Sequence, residues 1–233
     1  MNVDAYTLLV FLHVLLFAYW LGPDWGVFVS ARRAANEELP REQRLQYLAT
    51  SVEIDVVPRT AIVLIIAVGF TLSHLSGFAD IGAGFVWAWW LLSVVWLSLV
   101  WLTGYLLDRG PLRDRLDSIH LWLRHAITLF MIGFGGWSLA TGWPVADRWL
   151  SVKLMLVGVL LTGGSILRVI VAGWVRDLAL PPAGDNSPNA GSNSGSNEGS
   201  GAVARTYPLA RKLAYLFWGT TIAIAFLGVA KPF

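Results

Sequence analysis

Ionisable side chains inside long apolar stretches are the residues of this chain that could do chemistry. A charged group at the centre of a bilayer costs at least about 2.5 kcal/mol on insertion scales, so such a group is normally paired or functional. Those inside or at the edges of apolar runs are His13, Asp24, Arg124, His125, Lys153 and Arg168. Imidazole, carboxylate and guanidinium groups allow metal ligation, proton transfer and anion binding, and the arrangement of the helices decides which chemistry is available.

Two histidines and a lysine form the first candidate site. His13 and His74 lie at similar depth in two different apolar runs, and two neutral imidazoles from separate helices can act as axial ligands of one haem iron. Lys153, near the start of the fifth run, would then pair with a propionate or another anionic group. His13 is also the candidate metal ligand. The alternative is that each histidine hydrogen-bonds a neighbouring carbonyl or lines a cavity.

A second polar layer is expected near the opposite membrane face. This intramembrane network consists of Asp24, Arg59, Arg124, His125 and Arg168. Pro23 removes a backbone donor just before Asp24, which opens the first helix there and favours a polar pocket. The preferred interpretation is a structural ion-pair network, and the alternative is a proton relay through Asp24 and His125. His120 and His125 point in different directions on a helix, so they are not expected to chelate one metal. No catalytic residue can be assigned.

Six apolar runs position these side chains, and each approaches the length of a transmembrane helix, which is about 20 residues. The runs cover residues 6–30, 57–76, 85–107, 121–141, 149–174 and 213–230. None alternates with the period of two that is typical of a half-buried strand. Because 56% of the residues are hydrophobic and only 14% are charged, the predicted fold class is all-α, a polytopic membrane bundle of six transmembrane helices.

The distribution of arginine and lysine predicts the orientation of the helices. The basic connecting segments are residues 31–56, 108–120 and 175–212, whereas 1–5, 77–84 and 142–148 carry a single arginine. By the positive-inside rule, the basic segments face the cytoplasm and both termini face away from it. The predicted location is a bacterial-type inner membrane.

The chain divides into three predicted parts. Residues 1–180 form a bundle of five helices, with a cytoplasmic loop at 31–56 whose helix formers predict either a short amphipathic helix at the membrane surface or a solvated connecting helix. Residues 181–204 are rich in Gly, Ser and Asn, which predicts a disordered linker. Residues 205–233 carry the sixth helix.

An internal repeat relates the second and third helices to the fourth and fifth. The sequence RTAIVLIIAVGFTLSHLSGF from Arg59 matches RHAITLFMIGFGGWSLATGW from Arg124 at a constant offset of 65. Residues 90–104 match residues 149–163 at an offset of 59. Both pairs run in the same sense, which predicts a parallel duplication of a two-helix unit about an axis along the membrane normal. The alternative is convergence of two Leu/Val-rich segments.

Three segments of the chain resemble a known family. FLHVLLFAYWLG at 11–22, DRWLSVKLMLVG at 147–158 and VAKPF at 229–233 resemble the HemJ-type protoporphyrinogen oxidases and, more widely, the copper-resistance CopD-like membrane proteins. The resemblance implies a membrane bundle that binds haem b and helps to oxidise protoporphyrinogen IX. It also implies that His13 is the first-helix histidine and Lys153 the lysine of W-L-H-V-K-L, although Ser151 replaces the histidine of that motif.

Three functions follow from these observations. The first is haem or porphyrin handling linked to redox chemistry. The second is a CopD-like copper transport or resistance accessory, which would use histidine sites for Cu(II), because the chain has no cysteine and Cu(I) prefers soft sulfur ligands. The third is a cofactor-free scaffold that binds another membrane protein or a second copy. Its contact surface would be a broad aromatic face on the third helix, formed by Trp87, Trp89, Trp90, Trp96 and Trp101. The alternative is that these tryptophans face lipid, because their spacing is mixed. The bilayer is an expected partner, whereas nucleic acid is not, because the net charge is only +2.

Overall fold

The computed structural model describes residues 4–107, 110–179 and 201–232. Their helices are α1 (Ala5–Ala34), α2 (Arg41–Ile54), α3 (Val56–Leu75), α4 (Ala83–Trp101), α5 (Pro111–Thr141), α6 (Arg148–Ala179) and α7 (Gly201–Ala230). A π-helical turn, Leu102–Leu106, extends α4. Over these described ranges there is no β-strand beyond one isolated bridge. The predicted all-α bundle is confirmed.

Five helical stretches among the described residues are long and apolar enough to cross a membrane. They are Ala5–Ala34, Arg41–Leu75, Ala83–Leu106, Arg148–Ala179 and Val203–Ala230. These stretches contain five of the six predicted spans, except for the last residue of two of them, Ser76 and Leu107. The last helix begins at Gly201, which is earlier than the predicted boundary at residue 205. Residues 181–200 of the predicted disordered linker lie outside the described residues.

The remaining predicted span lies in α5, whose first half carries both charge signs and is therefore less apolar. Its 31 residues measure about 46 Å at 1.5 Å per residue. Its first turn lies beside the end of the π-helical turn, because Arg113 Nη1 donates to Leu107 O at 3.1 Å. Just beyond its other end, Trp143 Nε1 donates to Asp80 Oδ2 at 3.1 Å. Thus α5 runs the full depth of the bundle.

The connections 76–82 and 142–147 meet at one end of the bundle, which we name the loop end. Ala79 and Val145 form an antiparallel bridge, and the Asp80 amide donates to Pro144 O at 2.7 Å. At the offset of 65 in the predicted repeat, Pro144 corresponds to Ala79 and Val145 to Asp80. The offset therefore maps the bridge between Ala79 and Val145 onto the contact between Pro144 and Asp80. Such a reciprocal pair of contacts is expected between two copies related by a two-fold axis.

The helices that precede these two connections end in the same way. Gly77 follows α3 with φ +73°, and Gly142 follows α5 with φ +71°. Both values fall in the left-handed region, which glycine adopts without the steric penalty of a Cβ atom. The two glycines are also counterparts at the offset of 65. The hairpins α3–α4 and α5–α6 thus share a helix end as well as a reciprocal contact.

Small residues allow α5 and α6 to pack closely. A Cβ atom at Gly135 would lie 2.7 Å from Ser151 O, and one at Gly158 would lie 3.1 Å from Thr128 O. Both distances are shorter than normal van der Waals contacts, so the two backbones approach as they do at small-residue interfaces of membrane helices. This packing fixes the relative position of the polar side chains that α5 and α6 carry.

The predicted helix within residues 31–56 is α2, and one face of it packs on the bundle. Arg44, Leu48 and Ser51 share this buried face. Arg44 Nε donates to the last carbonyl of α1 at 2.8 Å, and Arg41 Nε donates to a carbonyl in the last turn of α6 at 2.9 Å. Arginine side chains in these positions satisfy carbonyls that a helix end leaves without intrahelical partners. The structure therefore ties α2 to α1 and α6.

The tryptophans of α4 do not form the single aromatic face that the sequence predicts. Trp87 is 74% exposed, whereas Trp89 and Trp96 are buried. Trp90 Nε1 donates to Thr71 Oγ1 on α3 at 3.0 Å. The five tryptophans are divided between the interior and the outer surface of the bundle, so they do not form one face, whereas the partner itself stays a prediction.

Candidate functional site

A cavity of about 690 Å³ lies toward the end of the bundle that α2 and the π-helical turn form, which we name the basic end. All seven helices contribute to its wall, and most of the wall is apolar. Its ionisable lining residues are Asp24, Asp55, Arg59, Arg113, Asp114, Asp117, His120, Arg124, Arg168, Arg176 and Arg211. Four members of the predicted polar network therefore line one cavity. The fifth, His125, is exposed and does not line it.

Two of the cavity arginines are paired with carboxylates. Arg59, in the first turns of α3, forms an ion pair with Asp55, which lies four residues earlier at the junction of α2 and α3. Arg168 Nη2 of α6 donates to Asp117 Oδ1 of α5 at 2.6 Å. An ion pair of this kind compensates part of the desolvation that each group undergoes on burial. The charges of Arg59 and Arg168 are thus balanced within the chain.

Arg124 differs from these two arginines. It is only 9% exposed, and within residues 4–107, 110–179 and 201–232 no carboxylate lies within ion-pair distance of it. Its Nη2 atom donates to Leu161 O at 3.3 Å, and its buried Nε atom has no hydrogen-bond partner among those residues. A Cβ atom at Gly164 would lie 3.1 Å from Nη2. The guanidinium therefore occupies space that the glycine leaves open.

His120 is 1% exposed and lies between two groups that can only donate hydrogen bonds. Its Nε2 atom lies 3.2 Å from Trp96 Nε1 and accepts from it when the imidazole proton is on Nδ1. That Nδ1 atom is 3.3 Å from Nη1 of Arg168, and a guanidinium has no acceptor atom. A neutral imidazole has one acceptor nitrogen, so His120 cannot accept from Trp96 and Arg168 at once. With its proton on Nδ1, its N–H group faces an N–H group of Arg168.

The predicted repeat relates this arrangement to the first hairpin. At the offset of 65, Arg124 is the counterpart of Arg59 and His120 is the counterpart of Asp55. The carboxylate that balances the charge of Arg59 is thus replaced by an imidazole one helical turn before Arg124. The predicted network omits His120, which enters the sequence-based predictions only as a poor chelating partner of His125. The alignment of His120 with Asp55 in the repeat is the sequence pattern that could have identified His120 as a residue of the site.

Asp24 also differs from the expectation of an ion pair. Its Oδ2 atom accepts from Trp218 Nε1 of α7 at 3.3 Å. Trp218 contacts Trp25 of α1 in a tilted arrangement and Phe28 of α1 edge-on, both at a ring-centroid distance of 5.0 Å. Among the described residues, no arginine or lysine lies within ion-pair distance of Asp24. The structure therefore places this carboxylate at an aromatic contact between α1 and α7.

The first candidate site is separate from this cavity. His13 of α1 packs on α3, where a Cβ atom at Gly69 would lie 3.3 Å from its Cε1 atom. Lys153 of α6 is close enough to His13 to interact electrostatically, and its Nζ atom would lie 2.8 Å from a Cβ atom at Gly228 of α7. His74 is half-buried near the end of α3. None of these three predicted residues lines the cavity at the basic end.

The haem that the resemblance implies can be tested against both regions. The His13 Nδ1 atom is buried and has no hydrogen-bond partner in the described parts of the chain, so it has the properties of an available ligand atom. The nearby Lys153 cation suits a propionate. In the cavity, the apolar wall and Arg124 also suit a porphyrin with its carboxylates. Trp20 is the first α1 residue of the cavity wall, about 10 Å along the helix from His13, so the two regions are distinct.

No group of three or more His, Asp or Glu side chains that could hold a metal ion is found among the described residues. Comparison of the chain with protein-family models, with curated proteins and with solved structures gave no match.

Proposed function

We propose that this protein is an inner-membrane protein that binds an anionic amphiphile in the cavity at the basic end, with haem or another porphyrin as the leading class of ligand. The observation that carries the proposal is Arg124, a buried guanidinium without a carboxylate partner in the described chain, in the wall of a largely apolar cavity. A buried charge is strongly unfavourable until a counterion compensates it. A ligand with an apolar body and an acidic group would compensate Arg124 and fill the cavity.

The side chains of the cavity have separate roles in this proposal. Arg124 would bind the acidic group, and Trp20, Trp96 and Phe217 would contact the apolar body. Aromatic side chains suit this role because they present a large rigid surface. The size of the cavity, about 690 Å³, is within the range of small-molecule sites. A bound haem would supply redox chemistry, and the protein would bind and orient it.

The proposed orientation places the basic end in contact with the cytoplasm and both termini on the other side of the membrane. This orientation follows from the predicted distribution of arginine and lysine. The ligand would then be exchanged between the cytoplasmic half of the bilayer and the cavity. Cysteine-labelling reporters in residues 31–56 and 77–84 test the orientation, which requires them to be on opposite sides.

A cavity-filling substitution tests the proposed function. Haem and protoporphyrin IX are titrated into the detergent-purified chain, and the shift of the Soret band measures binding. Ala214 of α7 lines the cavity, so A214W is expected to weaken binding at least tenfold. The matched control is A223W, because Ala223 of the same helix is exposed on the outer surface of the bundle. It is expected to bind like the wild type.

Other results of this titration contradict the proposal. Absence of saturable porphyrin binding, or equal binding by wild type and A214W, rules out a porphyrin in this cavity. A colourless protein that binds copper in proportion to the presence of His13 and His74 would support the copper-accessory function in its place. A Soret band that is lost in H13A and unchanged in A214W would move the porphyrin to the region of His13 and Lys153.

A further inference from the structure

Arg124, His120 and Arg168 bring hydrogen-bond donors to the wall of the cavity that the described chain does not fully satisfy. The buried Nε atom of Arg124 has no hydrogen-bond partner among the described residues. His120 contacts two donors, Trp96 and Arg168, and a neutral imidazole has an acceptor for only one of them. Arg124 and His120 lie one turn apart on α5, and the 3.3 Å contact brings Arg168 of α6 to the same place. Arg124 is more than nine-tenths buried. All three side chains line the same cavity, and Arg124 is the more deeply buried of the two arginines.

We infer that Arg124, His120 and Arg168 form a binding site for one oxyanion, either a carboxylate or a phosphate. An oxygen atom between His120 and Arg168 would accept from both and would remove the contact between two donors. A second oxygen atom would accept from Arg124. Charge-assisted bonds from guanidinium groups to oxyanions are shorter and stronger than bonds between neutral groups.

The first hairpin shows the arrangement that an oxyanion would complete in the second. Asp55 supplies a carboxylate to Arg59 from one turn earlier, whereas the corresponding residue before Arg124 is His120. In the second hairpin the oxyanion would take the place of that carboxylate. Asp117 does not serve Arg124, because it pairs with Nη2 of Arg168. This pair still leaves Nη1 of Arg168 directed at His120.

Gly164 provides the room that this site needs. The Nη2 atom of Arg124 lies 3.1 Å from the position of a Cβ atom at residue 164, whereas no atom lies within 4 Å of that position at Gly163. An alanine at 164 would require the Nη2 end of Arg124 to shift by a few tenths of an ångström and would leave its charge unchanged. Comparison of G164A with G163A therefore tests the position of the Arg124 guanidinium separately from its charge.

The inference deepens the proposed function, because a porphyrin in the cavity would present a propionate to this site. The same chemistry would also recognise the head of an anionic lipid or a soluble oxyanion. These sources differ in whether binding needs an apolar body. Inorganic phosphate has none, and phosphatidic acid has two acyl chains.

The experiment measures binding by the shift of the thermal unfolding midpoint of the full chain in detergent. One arm adds inorganic phosphate, with chloride at the same ionic strength as its control. The other arm adds phosphatidic acid to mixed micelles, with phosphatidylcholine as its control. R124Q is expected to weaken oxyanion binding at least tenfold, and G164A is expected to weaken it by a smaller factor. Their matched controls are R115Q, an exposed arginine of α5 outside the cavity wall, and G163A, and both are expected to bind like the wild type.

Each outcome decides the inference. The expected pattern with inorganic phosphate supports the site and a soluble ligand, and the same pattern with phosphatidic acid alone supports the site and a lipid head. Absence of binding in both arms, or equal losses in R124Q and R115Q, overturns it. A chain that passes this test and binds no porphyrin contradicts only the proposed function. Porphyrin binding without an Arg124-dependent response in either arm contradicts only the oxyanion site.

Discussion

Arg59 and Arg124 occupy corresponding positions in two similar hairpins, yet only Arg59 receives a carboxylate from its own hairpin. The side chain of Arg59 is 24% exposed and pairs with Asp55. Arg124 is 9% exposed and follows His120, the counterpart of Asp55, by one turn. The first hairpin has an arginine whose role is explained by its ion pair alone. The second has an arginine at the same position that forms no ion pair within the described residues.

The first hairpin serves as a reference for the second, because it shows the corresponding arginine with a carboxylate partner. Removal of one partner from a buried ion pair is strongly destabilising, because it leaves an uncompensated charge. The described part of the second hairpin already has such a charge. Without a ligand, the free energy of unfolding is expected to be lower than it would be if Arg124 had a carboxylate partner. A bound anionic ligand would raise it. If Arg124 binds an anionic ligand, the free energy of unfolding should therefore increase when that ligand is added.

The largest expected effect concerns how closely the helices of the two hairpins pack. Gly135 is the counterpart of Phe70, which packs against Trp89 at a ring-centroid distance of 4.7 Å. G135A would place a Cβ atom 2.7 Å from a backbone oxygen, so it is expected to lower the free energy of unfolding by about 1–3 kcal/mol. G136A is the control, because no atom lies near its Cβ position. Equal unfolding midpoints for both variants in detergent would refute the close packing.

The next prediction concerns the sign of two arginine substitutions in the absence of an anionic ligand. R59Q leaves Asp55 without its partner and is expected to destabilise the chain by about 1–3 kcal/mol. R124Q removes a buried charge that has no described counterion, and it is expected to leave stability unchanged or to increase it by about 1–3 kcal/mol. Chemical unfolding in phosphate-free buffer measures both. A destabilisation of R124Q as large as that of R59Q would show that another group of the chain compensates the charge of Arg124.

The smallest expected effect separates a structural hydrogen bond from a binding role. W96F removes the donor to His120 Nε2, and W90F removes the donor to Thr71. Each substitution is expected to lower the free energy of unfolding by about 0.5–1.5 kcal/mol. Only W96F frees Nε2 to carry the imidazole proton, so that Nδ1 can accept from Arg168. Phosphate binding should therefore weaken by about threefold to tenfold in W96F alone, by analogy with the loss of one hydrogen bond. Equal phosphate binding in the two variants would remove His120 from the site.

The helical bundle could be predicted from the sequence because apolar length alone identifies membrane helices. The direction of each side chain could not be predicted in the same way. Lipid-facing and buried surfaces of a membrane helix are both apolar, so hydrophobic periodicity does not mark the interior. For this reason the predicted network includes His125, which is exposed, and omits His120, which is buried. A spacing of four residues puts His120 and Arg124 on the same face of α5.

Other parts of the site depend on contacts between distant segments. Asp117 joins the site only because α6 brings Arg168 to it, and the role of Gly164 depends on where the long side chain of Arg124 ends. The sequence predicts an arginine partner for Asp24, yet α7 supplies Trp218 in its place. No local pattern in the sequence indicates these pairings. The repeat is the exception, since its offset of 65 relates His120 to Asp55 within the sequence itself.

The most direct test of the central claim is the phosphate affinity of H120D. This substitution gives the second hairpin the carboxylate that Asp55 supplies in the first, one turn before the arginine. If Arg124 binds an external oxyanion because it has no internal one, H120D should bind phosphate at least tenfold more weakly than the wild type. It should also be at least as stable as the wild type in phosphate-free buffer. A stable H120D protein that binds phosphate like the wild type would contradict the claim.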